Sequence, residues 1–260
     1  MSWRIESDEQ NVIQTAYHIL VASSPELLEQ GKGDIWDSGK IESDASQWIT
    51  YQGKTLKCNA SYYWKVKIDT NKGATNWSAP AFWTTGLFNE ADWQGQWIGL
   101  DRAAPGDSET QWSRLAARYL RKEFAVKKSV KRATVHIAGM GLYELFINGQ
   151  RIGNQVLAPA PTDYRKTILY NTYDVTSLLQ TENAIGVTLG NGRFYTMRQN
   201  YKPYKIPTFG YPKLRLNLIV EYADGSKETI ATNTSWKLTT EGPILSLIHI
   251  SEPTRLRRIS

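Results

Sequence analysis

A single cysteine, Cys58, stands in 260 residues, which excludes an intrachain disulfide and a cysteine-built zinc site. Histidine is nearly as scarce. His18, His136 and His249 lie far apart without ligand spacing, so no histidine-built metal centre is expected. No run of 18 apolar residues occurs, and no secretory leader pattern follows Met1. GxGxxG and P-loop spacings are also missing. Charge of one sign is only weakly in excess, +6 at pH 7, and the basic residues are scattered among acids without a basic helix or arginine stripe. Neither a nucleic acid nor a membrane is therefore an expected partner.

Aromatic residues are what the chain has in quantity, with 10 Trp and 14 Tyr. Their β preference predicts a strand-rich protein whose aromatics mostly fill cores, with exposed members available to stack on sugar rings. The length suits one large or two modest domains. Residues 1–88 read as a small sandwich of the immunoglobulin or fibronectin-III kind. Its strands are drawn from the alternation around Tyr17–Ala22, from IWDSG, WITY and YYWKVKI, and from the segment after the turn Asn71-Lys72-Gly73. Cys58 sits just before the YYWKVKI strand and reads as a half-buried small hydrophobe. Residues 89–117 carry Pro, Gly and Asp and read as an irregular connector.

A second sandwich is expected over 118–244, with strands at YLRKEFAV, RATVHIAG, YELFING, TILYNTY, AIGVTLG, KLRLNLIVEY and SKETIAT. Asn148-Gly149 tolerates positive φ at both positions and predicts a two-residue hairpin, with Gln150–Ile152 as the returning strand. Asp174 is expected to cap one helical turn that tucks Leu178 and Leu179 inward. Ala184–Leu189 reads as a buried central strand, and Asp224-Gly225 closes the last hairpin. The ends look different. SWRIES has strand character directly after Met1, as if an earlier strand and leader preceded it. From Leu245 the chain spells LSLIHISEPTR, which matches the in-frame translation of a transposase-type sequencing adaptor, so 245–260 is set aside. Arg255, Arg257 and Arg258 against Glu252 account for two units of charge, leaving about +4.

With QTAYHILVASS, WDSGKIES, YYWKVKI and NWSAPAFWTTGL in the first domain, and ELFINGQRIG, LAPAPTDYRKTILYNTYDVTSLL and NAIGVTLGNGRF in the second, Trp3 to about Ile244 resembles the N-terminal accessory region of bacterial α-L-rhamnosidases of the inverting type. The resemblance implies an all-β chain whose second sandwich is jelly-roll or galactose-binding-like. It also implies a parent that hydrolyses terminal α-L-rhamnosyl residues of glycans with an (α/α)6 barrel following these sandwiches. The acid and base carboxylates belong to that barrel, so no catalytic residue is assigned here, and the fragment alone is expected to be inactive. A periplasmic or secreted location is implied for the parent. No cofactor is implied, although some second sandwiches of this family bind carbohydrate, in certain cases with calcium.

A sugar site on this fragment would need an aromatic platform beside paired polar groups. The candidates are Asn191, Arg193 and Tyr195 in the loop after the central strand, Asp163 with Tyr164, and Trp112. Family members often carry an aromatic after the Asn-Gly, where this chain has Arg193, and that weakens transfer of a ring-stacking role to position 193. Asn191-Gly192 can equally serve only to turn the chain, Tyr164 to pack, and Asp107, Glu109 and Asp163 to solvate or cap loops. Two readings compete with barrel support: a free-standing carbohydrate-binding module, and a fibronectin-type protein-interaction module with an exposed apolar patch on its first sandwich.

Overall fold

A computed structural model describes residues 1–102, 115–195 and 209–242. Trp112, Asp107, Glu109 and the tail from Leu245 fall outside them. Contacts divide the chain between Phe88 and Asn89 into two units. Helix is confined to one short α-helix and two 3-10 turns, so the described chain is all-β in class.

The first unit contains β1 (Gln14–Ala22), α1 (Pro25–Glu29), β2 (Trp36–Glu42), β3 (Ser61–Thr70), β4 (Gly73–Ala74) and β5 (Ala81–Thr84). They form one antiparallel sheet in the order β2-β1-β3-β4, with β5 also on β3. Strand β1 is buried on both faces, and its alternation decides what each side meets. Tyr17, Ile19 and Val21 join Trp36, Tyr62, Val66 and Ile68 in the main core. Leu20 and Ala22 point the other way and are covered by Leu28 of α1. The signal for that helix is local. Pro25 occupies the first turn, and Ser24 Oγ accepts a hydrogen bond from the Leu27 amide at 3.4 Å.

The main core is closed from its open side by residues outside the ladder, among them Trp3, Ile5, Ile49, Tyr51 and Leu56. WITY and SWRIES are not strands here. Trp48 takes φ 59°, a left-handed conformation that interrupts an extended run. Pairing survives as isolated bonds, Ile49 N to Met1 O at 2.9 Å, the Met1 amino group to Ile49 O at 2.6 Å and Trp3 N to Ser46 O at 2.9 Å.

The second unit contains β6 (Ile98–Gly99), β7 (Arg118–Ala125), β8 (Val130–Met140), β9 (Leu142–Ile147), β10 (Gln150–Ile152), β11 (Tyr170–Asp174), β12 (Glu182–Gly190), β13 (Lys213–Tyr222), β14 (Lys227–Ala231) and β15 (Lys237–Thr239). Two five-stranded antiparallel sheets result: β10-β9-β12-β7-β15, and β11-β8-β13-β14 with β6 also on β13. Leu145, Ile147, Ile185 and Val187 of the first sheet pack with Val135, Ile137, Leu216 and Leu218 of the second in one core. β12 is central, as its short apolar run predicts. Asn148 and Gly149 take φ 52° and 81°, and Gln150 returns opposite Ile147. The Asn148 side chain adds a tie: its Oδ1 accepts from the Ala184 amide at 2.8 Å, and its Nδ2 donates to Leu178 O at 3.0 Å. The turn forms as the 3-10 helix Thr176–Leu178, but its N-cap is Val175 rather than Asp174, which precedes it and accepts from the Thr176 amide at 2.9 Å.

One face of each sheet turns away from the core. In the second sheet this outer face carries His136, Ala138, Arg215 and Asn217, yet all four are buried. Over Arg215 and Asn217 the cover is the stretch that begins with the 3-10 turn Glu90–Asp92 and ends in β6, while His136 sits against Thr172 and Tyr170 of β11. Sequence alone presents this stretch as irregular connector. In the structure it is a strap laid across β13.

Candidate functional site

The strap is fixed by polar groups that would otherwise be buried without partners. Asn217 Oδ1 accepts from the Gly95 amide at 2.8 Å, and Asn217 Nδ2 donates to Asp92 O at 3.1 Å. Arg215 Nε donates to Gly95 O at 2.6 Å, and the Gln96 amide donates to Thr232 O at 2.7 Å. Gly95 is required by space rather than by backbone angle, because a Cβ there would lie 2.5 Å from Leu216 O and 2.7 Å from Thr232 Oγ1. Close approach at Gly95 brings Trp93 and Trp97 to the Arg215 guanidinium, whose carbon lies 5.1 Å from the Trp93 ring centre and 6.0 Å from that of Trp97. Glu90 completes the arrangement by pairing with Arg215 Nη1.

Glu90, Trp93, Trp97 and Arg215 line a cleft of about 290 Å³, whose other aromatic and cationic lining residues are Tyr164, Tyr170, Arg165 and Lys166. Tyr170 meets Trp93 edge-on at 5.4 Å. The opposite lip is the loop that follows Thr162. Asp163 organises it: its carbonyl accepts from the Lys166 amide at 2.8 Å and the Thr167 amide at 3.0 Å, and its carboxylate takes Arg165 at 2.9 and 3.0 Å. Asp163 thus caps a turn, and the Arg165 guanidinium holds its carboxyl below the usual aspartate range.

Tyr164 lines the cleft and also packs edge-on against Phe194 at 5.2 Å and Phe209 at 5.4 Å. Burial raises its hydroxyl pKa, and nearby Arg193 opposes that rise. Phe194, Phe209 and Trp97 then border a second hollow of about 300 Å³. Tyr164 and Arg193 are therefore brought together. Tyr195 instead stacks on Tyr211 at 5.7 Å. Asn191 is buried, and its Nδ2 donates to Leu115 O at 3.3 Å, which is a structural part. Arg193 is exposed. Sequence reasoning passed over Glu90, Trp93, Trp97, Lys166, Tyr170 and Arg215. The legible signal was Gly95 between two tryptophans in ADWQGQWIG.

A third and larger hollow of about 520 Å³ lies on the outer face of the first sheet over Gly186, between Phe146 and Tyr119. Its one cation, Arg121, is engaged by Glu123 at 2.6 Å. The strap cleft combines aromatic faces with polar groups in a concave setting, which is the arrangement that holds a small polar ligand such as a sugar ring.

Hydrolysis of a glycosidic bond by inversion needs two carboxyl groups roughly 6.5–9.5 Å apart across the substrate. The strap cleft is lined by one carboxylate, Glu90, and the second hollow by one, Asp101. No group of three or more His, Cys, Asp or Glu side chains is placed to hold a metal ion among the described residues. Calcium does not fit the cleft either, since the Glu90 and Asp163 carboxylates are both held by arginines. Among the described residues no helix is long and apolar enough to cross a membrane.

Two family models match the chain: the Rha78A-like N-terminal immunoglobulin domain over residues 1–89, and the alpha-L-rhamnosidase N-terminal domain over 128–252. An alpha-L-rhamnosidase of Formosa agariphila is 37% identical over 94% of this chain, which spans 28% of that relative's length. The solved alpha-L-rhamnosidase from Dictyoglumus thermophilum superposes with a TM-score of 0.81 at 40% identity, covering 92% of this chain and 27% of the other. The native enzyme from Aspergillus terreus gives a TM-score of 0.80 at 33% identity, covering 94% and 27%. By these matches the chain belongs to the N-terminal domain families of the α-L-rhamnosidases, the immunoglobulin domain first and the N-terminal sandwich domain second.

Proposed function

We propose that this chain is the non-catalytic N-terminal portion of an α-L-rhamnosidase, that the parent removes terminal α-L-rhamnosyl residues from glycans, and that the strap cleft contacts the glycan. The observation that carries the first part is the length relation. Relatives named as α-L-rhamnosidases match more than nine-tenths of this chain, while the chain spans little more than a quarter of them. Activity then belongs to residues outside the 260, in keeping with cleft linings that hold one carboxylate each. The two sandwiches support the catalytic barrel of the parent.

The cleft reading rests on Trp93, Trp97 and Tyr170, which offer ring faces beside polar groups. Tyr164, Arg193 and Asp163 take part as its lip and border, and Asn191 by positioning the loop. Incubating the purified chain with an aryl α-L-rhamnopyranoside tests the first part. No release of the aryl alcohol above buffer is expected, and turnover proportional to protein would overturn the proposal.

A further inference from the structure

We propose that the strap cleft selects a sugar unit bearing negative charge, a carboxylate or a sulfate ester on a pyranose ring. This rests on the reading of the cleft as a glycan contact.

The argument is one of unbalanced charge around a ring-sized platform. The single carboxylate lining the cleft, Glu90, is consumed by Arg215. The carboxylate of the neighbouring lip, Asp163, is consumed by Arg165 through two bonds. What remains is cationic. Lys166 lines the cleft, is exposed, and has no acidic partner among the described residues. Arg193, exposed and near Tyr164, is likewise unbalanced among them, and its field reaches the Tyr164 hydroxyl.

The backbone that carries Lys166 is also held in place. Lys166 and Thr167 donate their amides to Asp163 O, and Thr162 Oγ1 donates to Thr167 O at 2.5 Å, so the lip is a closed turn. A ligand's charge therefore meets a preset field without ordering the loop. Arg165 keeps donors free, since its pairing with Asp163 uses Nε and Nη2 and leaves Nη1. The platform supplies what is common to every sugar, an apolar C–H face against indole or phenol. The rim supplies what distinguishes one sugar from another. At about 290 Å³ the cleft is at the small end of ligand sites and suits one charged ring rather than a long chain.

The test is calorimetric titration of the 260-residue chain with three rhamnose-containing disaccharides: one carrying a uronic acid, its carboxyl-reduced neutral form, and a sulfate ester of that neutral form. The charged ligands are expected to bind about tenfold more tightly than the neutral one at low salt, with the advantage shrinking at 0.5 M NaCl at about a 4 Å screening length. Lys166→Glu is expected to erase that preference while leaving the melting temperature unchanged, because the exposed Lys166 side chain takes no part in the turn. Preference for the uronate alone, for the sulfate alone or for both would each support the proposal and name the anion. Equal binding of charged and neutral ligands would overturn it and leave the glycan cleft standing. Absence of heat with all three would overturn both.

Discussion

Gly95→Ala is the perturbation that bears hardest on the strap, because the conflict it creates is with backbone. The added Cβ would lie 2.5 Å from Leu216 O, 2.7 Å from Thr232 Oγ1 and 3.1 Å from Asn217 Oδ1. β13 is a central strand and cannot recede, so the strap must lift. Lifting stretches the Gly95 amide bond to Asn217 Oδ1 and the Arg215 bond to Gly95 O, now 2.8 and 2.6 Å. Two buried hydrogen bonds are worth about 1 kcal/mol each, and leaving the fully buried Asn217 side chain short of a partner adds about 1 kcal/mol more. The expected cost is about 3 kcal/mol. For a unit of this size that lowers Tm by about 6–12 °C.

Differential scanning calorimetry reads this directly. Gly186→Ala is the matched control in the same unit, since its Cβ would meet only Phe146 Cβ at 3.8 Å. A Gly95→Ala variant melting within about 2 °C of Gly186→Ala would refute the strap as the element that seals β13.

The remaining predictions concern His136 and Asn148. Burial, with a smaller contribution from Arg132, pushes the His136 imidazole down from 6.5 to about 4. Because the folded value is the lower one, the unfolded chain takes up the proton first as pH falls. Stability is therefore intact above about pH 6.5 and declines towards pH 4, by up to about 3 kcal/mol. Chemical denaturation between pH 7 and 4 should show this slope, and His136→Gln should flatten it; an unchanged slope in the variant would assign the loss elsewhere. Asn148→Gly keeps the turn's positive φ but removes the ties to Ala184 and Leu178, so a loss of about 1–2 kcal/mol in denaturant titration is expected. A neutral result would reduce Asn148 to a turn former.

How much of this was legible in sequence depends on whether the signal is local. KLRLNLIVEY became β13, residue for residue, because an apolar alternation and a following Asp-Gly turn determine a strand within ten residues. Asn148-Gly149 likewise declared its hairpin. WITY failed because Trp48 adopts a left-handed conformation that side-chain pattern does not announce. The strap failed for a different reason. Its bonds join residues more than a hundred positions apart, Gly95 to Asn217 and Gln96 to Thr232, and no window of the chain contains both partners. The site residues divide the same way. Tyr164 and Arg193 were reachable from loop chemistry, whereas Trp93, Trp97 and Arg215 become a cleft only when the strap lands on β13.

The most direct test follows binding and bond breakage in one vessel. The purified chain is mixed with a glycan ending in α-L-rhamnose, with heat of binding and free L-rhamnose both recorded. Saturable heat without any rise in free rhamnose over a day is the predicted result. Rhamnose released in proportion to the protein added would show that these sandwiches cleave what they were argued only to hold.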